Sequence, residues 1–351
     1  MMTGTSAPIQ ESAPQPEAAA QVETQTSQPP ILLPEHTEAP RRSLQYLSGV
    51  AALVLIFFAS ASLTVAYLSG SQPAAAGQAA AAAANDPFSG VMIEAQGAYV
   101  IDLTTNRVLY SKNPDIQLPL ASLTKVALAL AVSGVLKPEM DVTIPEHTTP
   151  DGAPIRLPAG LRFEVRDLID FTLVASSNEG ASILADAAED ALRATYPEAV
   201  AGASALWRMN DIAKNLGLRN TFFLNTSGLD LSPTQAGAYG SAHDVALLFG
   251  HAASTASDVF GHTSRDRIEI RATSGETVSG VNTDEALPAI PGLIMGKTGF
   301  TELAGGNLAI LFEVGPTHPV VAVVLHSTRN GRFEDMKKLV AATQDAVAAG
   351  Q

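Results

Sequence analysis

Leu44–Leu68 is a run of 25 residues without a charged side chain, and it divides the chain more firmly than any other pattern. At about 1.5 Å per residue, a helix of that length is roughly 37 Å long, enough to cross a hydrocarbon core of about 30 Å with some tilt. Arg41 and Arg42 flank it on the N-terminal side, and the next charged residue is Asp86. This asymmetry predicts a single-pass anchor in the cell membrane, with residues 1–43 cytoplasmic and the bulk of the chain outside. A cleaved signal peptide is the rival reading, but those begin nearer the N-terminus and carry a shorter apolar stretch.

Residues 1–43 are rich in Pro, Gln, Glu, Thr and Ala and lack periodicity. Such a segment buries too little apolar surface to offset its ordering entropy, so it is expected to be a disordered tail. Residues 69–87, rich in Ala with Gly, Ser and Gln, read as a linker that holds the rest off the membrane. From Phe88 onward strand and helix patterns alternate, which makes 88–351 one folded domain. Ala98–Asp102 and Val108–Ser111 read as a hairpin around Thr104–Arg107. Ser122–Val135 is apolar almost all round and reads as a buried helix ending near Gly134 and Pro138. Further helices are expected near 166–175, 179–193, 203–216, 241–250 and 332–348. Strands are expected at 267–272, 276–281, 293–298, 306–314 and 319–326, with Phe300–Asn307 as a loop. Strands at both ends with helices between them predict an α+β fold: an antiparallel sheet assembled from both termini and flanked by helices.

Composition excludes several chemistries. The net charge of −14 repels phosphate backbones, so nucleic acid is not an expected partner. There is no cysteine, which removes thiolate nucleophiles and disulfides. His-Glu-x-x-His and Gly-x-Ser-x-Gly are both missing from the sequence, which disfavours a zinc peptidase and an α/β-hydrolase. No metal or other cofactor is expected.

Three short motifs carry chemistry. Ser122 and Lys125, three apart, share one face of the expected helix. A serine hydroxyl becomes a useful nucleophile when a neighbour accepts its proton, and a lysine of depressed pKa can do so. Ser176 and Asn178, two apart in a loop, offer a proton-passing hydroxyl and a carboxamide. Lys297-Thr298-Gly299 ends an apolar strand, where a cation, a hydroxyl and a residue that lets a ligand backbone approach would grip a carboxylate. Each alone has a blander reading: a solvated helix start, a helix cap, a chance tripeptide. A phosphate loop at Gly296-Lys297-Thr298 is disfavoured, because its first glycine would fall on Pro291 and a helix would have to follow.

Taken in order, Ser-x-x-Lys, Ser-x-Asn and Lys-Thr-Gly form the motif set of the active-site-serine penicillin-binding proteins and class A β-lactamases. From about Phe88 onward the chain resembles the low-molecular-mass penicillin-binding proteins, the serine-type D-Ala-D-Ala carboxypeptidases. The stretches PLASLTK, MNDIAKNLGLRNTFFLNTSGLD, GSAHDVALL, MGKTGFTELAGGNLAI and NGRFEDMKKLV follow that family's order. The resemblance implies a β-lactamase/transpeptidase-like fold and removal of the terminal D-Ala from peptidoglycan stem pentapeptides, with β-lactams as covalent inhibitors. It implies Ser122 as nucleophile, Lys125 as its base and Ser176 as proton relay. Asn178 would hold the penultimate peptide, and Lys297, Thr298 and Gly299 would face the terminal carboxylate with help from Arg332. Backbone N–H groups of Ser122 and Phe300 would form the oxyanion hole. The separate C-terminal β-domain and amphipathic C-terminal anchor of many relatives are not expected here. A β-lactamase-type Glu-x-x-x-Asn element is also missing, the nearest match being Asp211–Asn215, so rapid β-lactam hydrolysis is not expected. A D,D-endopeptidase and a non-enzymatic wall-binding protein on the same scaffold are the alternatives.

Overall fold

The stretch Pro319–Ser327 is a run of β-branched and small apolar residues without alternation, the pattern of a strand covered on both faces. In the computed structural model, which describes residues 86–146, 156–315 and 318–350, this run is the middle strand of a five-stranded sheet. The expected tail, the anchor at 44–68 and all but the last two residues of the linker lie outside the described residues.

The described chain enters the sheet with the expected hairpin, β1 (Gly97–Asp102) and β2 (Arg107–Lys112). A short strand β3 (Leu118–Pro119) leads through a 3-10 turn, Ala121–Leu123, into helix α1 (Thr124–Ser133). A ribbon of β4 (Asp141–Thr143) and β5 (Arg162–Glu164) precedes α2 (Val165–Val174), α3 (Asn178–Thr195) and α4 (Ser204–Asn215). Strands β6 (Phe222–Phe223) and β7 (Ala238–Gly240) join β3 in a small second sheet. Helices α5 (Ala242–Thr255) and α6 (Ser257–Phe260), a 3-10 turn at Gly261–Ser264 and the hairpin β8 (Arg267–Arg271)–β9 (Thr277–Val281) follow. The chain then returns to the main sheet as β10 (Leu293–Thr301), β11 (Gly305–Glu313) and β12 (Pro319–Ser327), and closes with α7 (Gly331–Ala348). Across the sheet the order is β10-β11-β12-β1-β2, with every pair antiparallel. The sheet is thus assembled from both ends of the domain, as expected.

Successive residues of a strand face opposite sides, and β12 shows the consequence. Val320, Ala322 and Val324 pack with Phe333, Met336 and Leu339 of α7, whereas Val321, Val323 and Leu325 join the core shared with α1 and α5. Helix α1 sits inside that second core with Thr124–Val132 entirely buried. This position explains why its sequence is apolar all round.

Two expectations need correction. Ser122 lies in the 3-10 turn and not in the α-helix, which starts at Thr124. Phe300–Asn307 is mostly strand: β10 continues to Thr301, and Phe300 and Thr301 pair with Gly306 and Gly305. The polar, glycine-rich sequence looked like a loop because it lacks apolar alternation. Tertiary pairing supplies what propensity does not, and Gly305 takes the positive φ of 60° at the turn.

Candidate active site

The turn carrying Ser122 is held from two sides. Ala121 adopts φ 48°, its carbonyl accepts from Thr124 Oγ1 at 2.7 Å, and the Leu120 N–H reaches Ala238 O of β7 at 3.0 Å. On the other side lies the loop after β6. Asn225 organises it, accepting from Gly228 N at 2.7 Å and donating to Leu229 O at 2.8 Å. Gly228, at φ 81°, comes so close that a Cβ there would stand 1.9 Å from Ala121 O. No side chain fits at that position.

Lys125, one turn into the fold from Ser122, is fully buried. Its Nζ meets three oxygens: Ser122 Oγ at 2.8 Å, Asn178 Oδ1 at 2.7 Å and the backbone carbonyl of Ser227 at 2.7 Å. Burial first, and then repulsion from Lys297, holds this amine well below the usual ammonium range. A neutral amine has two hydrogens and one lone pair. The carboxamide oxygen and the carbonyl can only accept, so they take the two hydrogens and leave the lone pair facing the Ser122 hydroxyl. In its neutral form the amine is placed to accept the hydroxyl proton.

The Ser176–Asn178 element connects this pair to the sheet. Ser177 caps α3, its Oγ accepting from Gly180 N at 3.0 Å. Ser176, before the cap at φ 54°, accepts from Lys297 Nζ at 2.9 Å, while Asn178, after it, reaches Lys125. One cap thus aims two side chains at two different amines.

Strand β10 brings Lys297, Thr298, Gly299 and Phe300 to the same place. A Cβ on Gly299 would stand 2.8 Å from Leu120 O and 3.2 Å from Ser122 N, so glycine is what lets the strand edge approach the Ser122 turn. Lys297 also donates to Thr298 O at 2.9 Å, and the Thr298 hydroxyl bonds that of Thr283. Burial, followed by repulsion from Arg332, lowers Lys297 to about 7, against an opposing pull from Asp284. Arg332, at the start of α7, donates through Nη1 to Gly299 O at 2.7 Å. Burial and neighbouring Arg329 lower it to about 10, so it stays charged at neutral pH.

The structure therefore gathers Ser122, Lys125, Ser176, Asn178, Lys297, Thr298, Gly299, Phe300 and Arg332 around one strand edge. The observed Nη1 bond of Arg332 goes to the backbone of that edge. Sequence reasoning missed Ser227, whose contribution is a carbonyl that any residue type could supply, and Asn225, whose side chain shapes that loop. It also missed Thr283 and Asp284, which sit behind β10 in a stretch, Asn282–Gly292, that has no motif. Among the described residues no group of three or more His, Asp or Glu side chains is placed to hold a metal.

A family model described as D-alanyl-D-alanine carboxypeptidase matches residues 80–329. The chain belongs to this family. All of the gathered residues except Arg332 fall within the matched span. D-alanyl-D-alanine carboxypeptidase DacF of Bacillus subtilis is 28% identical over 255 residues, covering 70% of this chain and 61% of the relative's own length. A D-alanyl-D-alanine endopeptidase of Escherichia coli is 29% identical, covering 76% of this chain and 81% of that protein. Among solved structures, penicillin-binding protein D2 of Listeria monocytogenes in its ampicillin-bound form has a TM-score of 0.60 and 28% identity, covering 72% of this chain and 98% of that one. The expected α+β architecture with an antiparallel sheet is the architecture found.

Proposed function

We propose that this chain removes the C-terminal D-alanine from peptidoglycan stem pentapeptides through an acyl-enzyme on Ser122. The observation that carries the reading is the buried Lys125 amine, 2.8 Å from the Ser122 hydroxyl, with its other two contacts to the acceptors Asn178 Oδ1 and Ser227 O. In the first half-reaction Lys125 takes the hydroxyl proton, and Ser122 Oγ bonds to the carbonyl carbon of the penultimate D-Ala. Backbone N–H groups of Ser122 and Phe300 receive the developing oxyanion. The C–N bond breaks, and the departing amine takes a proton that reaches it through the Ser176 hydroxyl. In the second half-reaction water adds to the ester carbonyl, the bond from that carbon to Ser122 Oγ breaks, the water's hydroxyl stays on the product carboxyl and its other proton returns to Ser122. Asn178, whose amide nitrogen is left free by the Lys125 contact, holds the penultimate peptide. Lys297, Thr298 and the charge of Arg332 face the terminal carboxylate.

Mass spectrometry of protein treated with benzylpenicillin tests this directly. A single acyl adduct on the Ser122 peptide, missing in Ser122→Ala together with D-alanine release, is the expected outcome. An adduct that survives Ser122→Ala removes the mechanism.

The endopeptidase relative favours a second reading with the same nucleophile, cleavage of cross-links between stem peptides. Rates on a monomeric pentapeptide and on a cross-linked dimer separate the two. The uncharged run Leu44–Leu68 supports placing the catalytic domain outside the membrane on a single-pass anchor. Protease added to intact cells would then digest the domain and spare a short N-terminal fragment.

A further inference from the structure

Two cationic side chains, Lys297 and Arg332, are buried around one strand edge beside the Lys125 amine. Burying charge without a partner is costly, so the location of the countercharge matters. Among the described residues one carboxylate acts on both Lys297 and Arg332: Asp284, which is 5% exposed. Its segment is fastened to the back of the site. Asn282 donates to Thr263 O at 2.8 Å and Arg265 O at 2.7 Å, and Thr263 Oγ1 accepts the Gly296 N–H of β10 at 3.0 Å. Thr283 bonds the hydroxyl of Thr298.

The Asp284 side chain is set in one direction. Oδ1 accepts from Ala286 N at 2.9 Å, and the Asp284 N–H donates to Asn282 Oδ1 at 2.9 Å. Oδ2 is buried without a hydrogen-bond partner, as is Nε of Arg332. It lies 3.5 Å from where a Cβ on Gly296 would stand, one residue before Lys297. A loop-shaping role needs only Oδ1, which an asparagine would supply equally well. The second oxygen, buried beside Gly296, makes no hydrogen bond.

We propose that Asp284 is a positioning residue: its carboxylate is the countercharge that keeps Lys297 cationic, so that the Lys297–Thr298 edge holds the carboxylate of its substrate. This rests on the acyl-enzyme reading above. The charged groups bearing on Asp284 are Lys297 on β10, Arg332 on α7 and Glu285 on its own segment; Arg329 bears on Arg332, and Lys297 in turn on Lys125. Burial raises the Asp284 carboxyl above its ordinary value, and the Ala286 N–H and the two cations offset part of that rise. With Asp284 in place Lys297 is at about 7. Without that negative charge it loses its proton at lower pH.

The test compares acylation of wild type and Asp284→Asn by benzylpenicillin and by its methyl ester, which lacks the carboxylate. Asparagine retains the acceptor for Ala286 and removes only the charge. The ratio of the two rates within one sample is independent of how much of the variant is folded. Each unit by which Lys297 falls is a factor of ten in its protonated fraction above its pKa, so the acid-to-ester ratio should drop about tenfold near pH 8 and recover near about pH 5.5. An unchanged ratio, or one that drops equally at all pH values, overturns the role of Asp284. Failure of wild type to be acylated by either compound overturns the acyl-enzyme reading itself, which distinguishes the two failures.

Discussion

The amine of Lys125 lies 2.8 Å from the hydroxyl of Ser122, with its other two contacts both to oxygens that can only accept. Arginine at position 125 would keep a long basic side chain but put a permanent cation there, unable to take a proton at any accessible pH. General bases contribute on the order of a hundred- to ten-thousandfold. Lys125→Arg should therefore slow acylation by about a thousandfold, while binding of the intact peptide weakens far less. Stopped-flow acylation with a fluorescent penicillin checks the rate, and equilibrium dialysis with the peptide checks the binding.

The two lysines should divide the pH profile between them. Lys125 serves when neutral, so kcat falls on the acid side as it takes up a proton. Its low pKa places that limb well below the ordinary lysine range. Lys297 serves when charged, so the grip on a terminal carboxylate is lost as pH rises through about 7 in the free enzyme. A bound carboxylate favours the charged form and moves that loss higher. KM should accordingly rise on the alkaline side while kcat holds. An alkaline limb found in kcat alone would contradict this division.

Gly228 gives a steric test of how tightly the Ser122 turn is held. Alanine there would place Cβ 1.9 Å from Ala121 O in a backbone at φ 81°, and a non-glycine residue in that region costs about 1–3 kcal/mol before any clash. The variant has to move either the turn or the loop that carries Ser227. Gly228→Ala should lower the melting temperature and slow acylation together. Gly217→Ala, also at positive φ (70°) but with nothing within 4 Å of its Cβ, should cost only stability.

Much of the architecture was legible because burial leaves a pattern. The unbroken apolar run of β12 and the all-round apolar α1 both come from being covered on every side, and both were found close to their observed limits. The candidate site was legible in part. Ser122, Lys125 and Lys297 are named by their side chains, so motif spacing finds them. Ser227 acts through its carbonyl and Gly228 through the lack of a side chain, and neither carries a signal outside the fold. Asp284 is one of 35 acidic residues, and its burial beside β10 with Oδ2 unpartnered is visible only in the fold. The strand at Phe300–Thr301 was missed for a related reason. Its pairing with Gly305 and Gly306 depends on tertiary contacts, whereas glycine and threonine at a strand's end resemble a loop.

Asp335 of α7 offers a test of the scaffold separate from the chemistry. It is fully buried and accepts from Glu94 N at 2.9 Å, Ala95 N at 2.8 Å and Ser327 Oγ at 2.7 Å. It thereby ties the segment entering β1 and the end of β12 to the closing helix. Alanine at this position would strand two backbone N–H groups and a hydroxyl away from water, and each buried unsatisfied group costs about 1–3 kcal/mol. Some of that is recovered where the strand end relaxes toward solvent, so a loss of about 2–4 kcal/mol is expected. Asp335→Asn keeps an acceptor for one or two of the three donors and should lose roughly half as much. Urea unfolding at constant m-value measures both variants. Acylation of the folded fraction should stay near wild type, because none of these groups touches Ser122, Lys125 or Lys297.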